Sequence, residues 1–242
     1  MPESPKIYLL LGPKGSGRRS VFLECVDSLP QSTPILYFRH ESDSNQESDP
    51  IDQAILKNDS IEIVKWKLEA TKIKHSTIRA NPECIFFLAP AVIHIADVIE
   101  ALKGWLEKNE CSLTRIISIV HCGLAKEKAS HLQWFEASMH FSDMVLLNRR
   151  ELVGTKWVQD FIAKYKKIYH PTRFELIKKD RLTNPMDILD YQVFRNSLYF
   201  DSLTPIEEDE IDELMPEDQN EDPYIERLES GRRMKPIPLI LD

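Results

Sequence analysis

The chain has 242 residues, with 39 acidic against 31 basic side chains and a formal net charge of −8. The imbalance is local: residues 201–242 hold 14 Asp/Glu and 4 Lys/Arg, the first 200 hold 25 and 27, and so no broad basic surface speaks for nucleic acid. The longest nearly uninterrupted apolar run, 84–93, is too short to span a bilayer, and residues 1–6 show no signal-peptide pattern, so the expectation is a soluble, cytoplasmic chain without a membrane or nucleic-acid partner.

Residues 6–20 read KIYLLLGPKGSGRRS. The apolar run Ile7, Tyr8, Leu9, Leu10, Leu11 stops at Gly12. After a glycine-rich turn, Val21, Phe22, Cys25, Val26 and Leu29 recur at helical spacing, which predicts a buried strand, a tight loop and a helix. That is the setting of the phosphate-binding pattern G-x-x-x-x-G-K-[ST]. There, backbone amides wrap a polyphosphate at a helix N-terminus, a lysine reaches the phosphates and a hydroxyl holds magnesium. Gly12 and Gly17 keep the spacing, but Arg18 and Arg19 stand where the lysine and the hydroxyl belong. The candidate phosphate-binding residues are Gly12, Lys14, Gly15, Ser16, Gly17, Arg18, Arg19 and Ser20. A planar guanidinium at 18 can contact phosphate but is not interchangeable with an ammonium, and Arg19 cannot replace a hydroxyl on a metal, so the magnesium site is read as lost. A second register, from Lys14 to Ser20, puts Arg19 at the lysine position and Ser20 at the hydroxyl position and gives up the last glycine. A strand-to-helix turn with no ligand is the competing reading.

Residues 34–38 (PILYF) are a short run of strand type, and 40–50 (HESDSNQESDP) read as an exposed acidic loop closed by proline. His40, Glu41 and Asp43 form a conceivable metal-ligand set there, more simply read as solvated. Ile61, Val64, Trp66 and Leu68 suit a strand or one face of a helix, and period alone does not decide between them. From 83 onward strands and helices alternate: a strand over 84–88, a helix carrying Val98, Ile99, Leu102, Trp105 and Leu106, a strand over 115–120, a helix around 126–140, a strand over 144–148, a helix carrying Val158, Phe161, Ile162 and Tyr165, and a last strand-like run over 173–177. Short apolar strands alternating with helices imply right-handed crossovers and a mainly parallel sheet covered on both faces, a three-layer α/β fold. The four cysteines (Cys25, Cys84, Cys111, Cys122) are scattered, as reduced buried thiols are, and no metal site is expected.

In open α/β sheets ligands sit at the carboxyl ends of the strands. The run ending at Leu88 continues into Ala89-Pro90-Ala91 and the run ending at Val120 into His121-Cys122-Gly123, neither with a carboxylate for magnesium. His121 is placed to touch a ligand, although a lone histidine at a strand end is more often held by ordinary hydrogen bonds. The run ending at Leu147 leads into Asn148-Arg149-Arg150-Glu151, which resembles the N-K-x-D pattern of GTPases; Asn148, Arg149 and Glu151 are the candidate base-binding residues.

On these residues the stretch 6–177 resembles the CobW/HypB/UreG family of P-loop GTPases, within it the CobW-like branch. GPKGSGRRS stands at the phosphate loop, IFFLAPA and IISIVHC stand at two strands of the family, and FSDMVLLNRREL stands where the family has Ala-Asp-x-x-x-x-Asn-Lys-x-Asp-Leu. The resemblance implies a P-loop NTPase fold and binding of GTP or GDP, with Asn148 matching directly and Glu151 by charge. The family's loop Lys and Thr, its strand-end acids and its Cys-x-Cys-Cys are missing here. The chain is therefore read as a P-loop NTPase-like domain over 1–180 with an acidic, partly disordered extension over 181–242, a degenerate GTPase relative that binds a purine nucleotide weakly with little or no hydrolysis and has no catalytic residue to assign. Two other readings stand beside it: a non-catalytic interaction module whose acidic tail engages a protein partner, and a CobW-like metallochaperone.

Overall fold

The computed structural model describes residues 4–43, 49–169, 172–189, 197, 199–200 and 222–241. Among them, β1 (Lys6–Gly12) is buried from Ile7 onward, because it runs through the middle of the sheet with a neighbour on either side. It is followed by α1 (Arg18–Asp27), β2 (Ile35–His40) and α2 (Pro50–Lys57), which has proline in its first turn and Asp49 as a capping residue accepting from Ile51 N at 2.9 Å.

The ambiguous stretch after it is a strand, β3 (Ile61–Glu69). It lies parallel to β2 and turns at Ala70 into the antiparallel β4 (Lys72–His75). Next come β5 (Cys84–Pro90), α3 (Ile95–Lys108) and β6 (Leu113–His121). The helix expected around 126–140 is two helices, α4 (Cys122–Glu127) and α5 (Ala129–His140), broken where Lys128 takes an extended backbone. The domain continues through β7 (Met144–Asn148), a single 3₁₀ turn (Arg150–Leu152), α6 (Thr155–Ile168), β8 (Arg173–Leu176) and the short α7 (Met186–Leu189).

The eight strands lie in the order β4-β3-β2-β5-β1-β6-β7-β8, all parallel except β4. Strand alternation divides the core into two layers. Leu9, Leu11, Phe38 and Phe87 face α3, α5 and α6, while Tyr8, Leu10, Tyr37 and Phe86 face α1 and α2. Each large apolar side chain removed from water in this way contributes roughly 1.5–3 kcal/mol. The architecture is the three-layer α/β fold with a mainly parallel sheet, and no helix among the described residues is long and apolar enough to cross a membrane.

The described residues beyond 180 pack back on this domain. Ile188 and Leu189 of α7 join the α1 layer, and Tyr8 Oη donates to Leu189 O at 3.2 Å. Tyr224, Ile237 and Ile240 join the other layer. Asp222 accepts from His140 Nε2 and from Ser197 Oγ, each at 2.7 Å, Arg233 pairs with Asp97 and Glu100 of α3, and Ile240 N donates to Ala91 O at 3.3 Å. The acidic run 201–221, to which the sequence assigns disorder and a partner, lies outside the described residues.

Candidate functional site

At the carboxyl end of β1 the chain turns through Gly12, Pro13 and Lys14, with Ser16 N donating to Pro13 O at 3.2 Å. Gly15 (φ +76°) and Gly17 (φ +97°) take left-handed conformations that side chains disfavour. A β-carbon at Gly17 would lie 2.7 Å from Asn148 Nδ2, so the loop and β7 approach as closely as they do only because this residue is glycine. Helix α1 starts at Arg18 with Gly17 as its cap, so no side chain satisfies its first amides and its first turn has no acidic residue. Such an end attracts an anion.

The loop is gripped from β7, two strands away. Asn148 is almost fully buried and donates Nδ2–H to Ser16 O and to Asp180 Oδ1, both at 2.9 Å, while its Oδ1 accepts from Arg149 N at 2.8 Å. Arg149, held at φ +55°, donates Nε–H to Gly15 O at 3.3 Å and pairs through Nη1 with Asp180 Oδ2 at 2.8 Å. Asp180 sits in the tight turn after β8, closed by 3.0 Å hydrogen bonds between Lys178 and Arg181, with Lys179 and Asp180 both at positive φ. Two loop carbonyls are thus turned toward β7 and spoken for.

On that other side is a cleft of about 270 Å³. Five cationic side chains line it: Lys14, Arg18, Arg19, Arg39 and Arg149. Three carboxylates face them. Asp43 takes both prongs of Arg18, whereas Asp49 and Asp52 hold Arg19 at 2.8 and 2.5 Å. The opposite wall is apolar, made of Pro90, Ala91 and Val92 at the end of β5 together with Ile240 of the C-terminal segment.

His40 does not assemble with Glu41 and Asp43 as metal ligands. Its Nδ1 is bonded by Ser42 while Asp43 is bound to Arg18, and no group of three His, Cys, Asp or Glu among the described residues is arranged to hold a metal. At the end of β6, His121 Nδ1 accepts from Leu124 N at 3.2 Å, which makes it the cap of α4. Burial, reinforced by the charge of Arg149, holds its pKa below the usual histidine range.

The structure therefore brings Gly12, Lys14, Gly15, Gly17, Arg18, Arg19 and Ser20 together with Asn148 and Arg149. Ser16 is wholly buried within the loop, its hydroxyl without a hydrogen-bond partner. Glu151 is apart from them: it is exposed on the 3₁₀ turn and lines a second cavity of about 450 Å³ with Thr155, Lys178 and Lys179. The sequence reading did not single out Arg39, Asp180 or the loop-pairing carboxylates Asp49 and Asp52. Nothing local marks them: Asp180 bonds Asn148 and Arg149, and Asp49 and Asp52 pair with Arg19, partners distant in the chain, while Arg39 reaches the cleft from β2.

The sequence matches no known protein family and no curated protein. Among solved structures the chain is similar to the Zn(II)-bound YjiA GTPase from E. coli, with 10% identity and a TM-score of 0.48 over 78% of this chain and 62% of that one. It is also similar to the signal recognition particle receptor FtsY from Elizabethkingia anophelis in complex with GDP, with 9% identity and a TM-score of 0.44 over 86% of this chain and 66% of that one. The chain spans less than two thirds of the length of either.

Proposed function

We propose that the chain is a P-loop, GTPase-like domain, a degenerate relative of the CobW-like branch, that binds a purine nucleotide, GTP or GDP, with little or no hydrolysis. The observation that carries this reading is the double grip on the loop. Asn148 and Arg149 bind the carbonyls of Ser16 and Gly15 from the side, while the uncapped start of α1 and five cations face the cleft. Backbone amides fixed in this way, beside a helix N-terminus, suit a diphosphate group. The purine would rest on the β7 side, near Asn148, Arg149 and Asp180.

The residues present do not fit a resident magnesium ion. The cleft offers two hydroxyls, Ser20 and Ser42, the second already bonded to His40 Nδ1, and three carboxylates already engaged by Arg18 or Arg19. Phosphoryl transfer relies on positioned cations, usually with a metal bridging the phosphates, and so binding without turnover is the expected behaviour. The test is a calorimetric titration of the full chain with GDP and GTP, with and without magnesium. Binding that is indifferent to magnesium supports the reading, and failure of both nucleotides to bind at roughly millimolar concentration (a gain of about 4 kcal/mol) defeats it.

One observation favours a second reading, that of a non-catalytic interaction scaffold in a cytoplasmic assembly. Ile240 of the docked C-terminal segment lines the cleft beside Lys14 and Gly15. In that reading the acidic run 201–221 engages a protein partner while the loop only completes the fold. The same titration separates the two.

A further inference from the structure

We propose that Arg39, at the end of β2, is the side chain that takes the phosphate charge in this cleft, doing from two strands away what the loop's missing lysine does elsewhere; the inference rests on the reading of the cleft as a phosphate site. Ile35 and Tyr37 face the α1 layer. By strand alternation Arg39 faces the same side, where it lines the cleft together with Arg18 and Arg19. It lies in register with Leu88, which in turn pairs with Leu10, so it sits just below the level at which β1 opens into the loop.

The four other cations of the cleft are accounted for. Arg18 is bound by Asp43, Arg19 by Asp49 and Asp52, Arg149 by Asp180, and Lys14 has an interaction of its own. Arg39 is 8% exposed, and its guanidinium has no hydrogen-bond or ion-pair partner among the described residues. Close by, the Tyr37 hydroxyl is buried without a hydrogen-bond partner, and Asp43 first, then Arg18, Arg39 and Arg19, bear electrostatically on it. None of the Arg39 nitrogens is among the sealed atoms that lack a partner, so the guanidinium stays open to the cleft with no carboxylate bonded to it. A chain that keeps one aimed into a cavity gains from it when a ligand brings the opposite charge. The five donors of a guanidinium suit a diphosphate or triphosphate oxygen cluster.

The test uses the full chain, with GDP and inorganic tripolyphosphate as probes and no added magnesium. Arg39→Gln should weaken both by about ten- to a hundredfold, the range of a charge-assisted contact, and Arg39→Lys should recover part of the loss. In the ligand-free protein, Arg39→Gln should leave the melting temperature unchanged, because the guanidinium makes no hydrogen bond or ion pair among the described residues. If Arg39→Gln binds GDP as the wild type does, the assignment of Arg39 is wrong and the nucleotide reading stands. If it instead melts well below the wild type, Arg39 is structural and the inference falls. If the wild type binds tripolyphosphate through Arg39 but neither nucleotide, the inference holds and the nucleotide reading fails; binding of neither probe defeats both.

Discussion

Arg18 and Asp43 meet as a fork on a fork, Nη1 to Oδ2 at 3.2 Å and Nη2 to Oδ1 at 3.1 Å. The residue that stands at the lysine position of the phosphate loop is therefore already neutralised by a carboxylate from the segment after β2. An incoming phosphate has to compete with Asp43 for it. Asp43→Asn keeps the side chain's shape and removes its charge, and should tighten GDP or tripolyphosphate binding by about tenfold, equivalent to 1.4 kcal/mol. Isothermal titration measures it. An unchanged affinity would mean that Arg18 never turns to the ligand.

Gly17 is the point where loop and β7 touch. At φ +97° a side chain is strained, and the added β-carbon would press on Asn148 Nδ2 at 2.7 Å, the very group that holds Ser16 O. Gly17→Ala should cost about 1–3 kcal/mol of stability, from the backbone conformation and the displaced Asn148. It should also abolish phosphate binding. Urea unfolding reads the first effect and titration the second; a variant as stable as the wild type would show that the loop repacks freely.

How the site shows in the sequence depends on how far apart its parts lie. The strand, loop and start of α1 are contiguous, and the apolar run ending at Gly12 with helical spacing from Val21 announces them. Asn148 and Arg149 are visible as a strand end of known pattern, and both reach the loop. Glu151 shares that pattern but follows Arg149, whose left-handed backbone turns the chain into the 3₁₀ turn and leaves Glu151 outside. Its place beside Asn148 and Arg149 is taken by Asp180, some 30 residues on, which no local spacing predicts. The stretch Ile61–Glu69 stays ambiguous until β2 is in place, because its strand state depends on a parallel partner. The stretch before 223 reads as nearly all carboxylate, but the end, 231–242, reads as basic and then apolar, of a kind that can dock on its own domain or on a partner; Ile237 and Ile240 of it, with Tyr224 before them, join the core layer that α3 and α5 cover.

The cysteines supply a test of the two-layer core. Burial pushes Cys84 up to about 11 and Cys122 up to about 12, and it raises Cys25 as well. Cys111 is raised too, by its partial burial and then by Glu110, but it alone of the four is not fully buried. Thiolate is the reactive form. A disulfide reagent at mildly alkaline pH should therefore label Cys111 first and the others only after denaturant is added. Rapid labelling of two or more native thiols would contradict the packing of β5 and α1.

Asp222 ties the C-terminal segment to α5, accepting from His140 Nε2 and Ser197 Oγ at 2.7 Å and from Tyr224 N at 3.0 Å. Burial alone would raise its pKa from the ordinary 3.8, but the hydrogen bond and charge of His140, with the other two donors, outweigh it and hold the carboxyl below that value. A folded-state pKa depressed in this way adds stability that is present above the unfolded value and lost as pH falls through the folded one. Asp222→Asn should therefore cost about 1–3 kcal/mol near pH 7, and its deficit should shrink as the wild type is taken to about pH 2. Ile237→Ala, which removes a buried side chain of the same segment, should cost about 2–5 kcal/mol with little dependence on pH. Urea midpoints of the two variants across that range distinguish an ion-tied segment from one held by apolar contact alone, and an Asp222→Asn deficit equal at both ends would rule out the ionic tie.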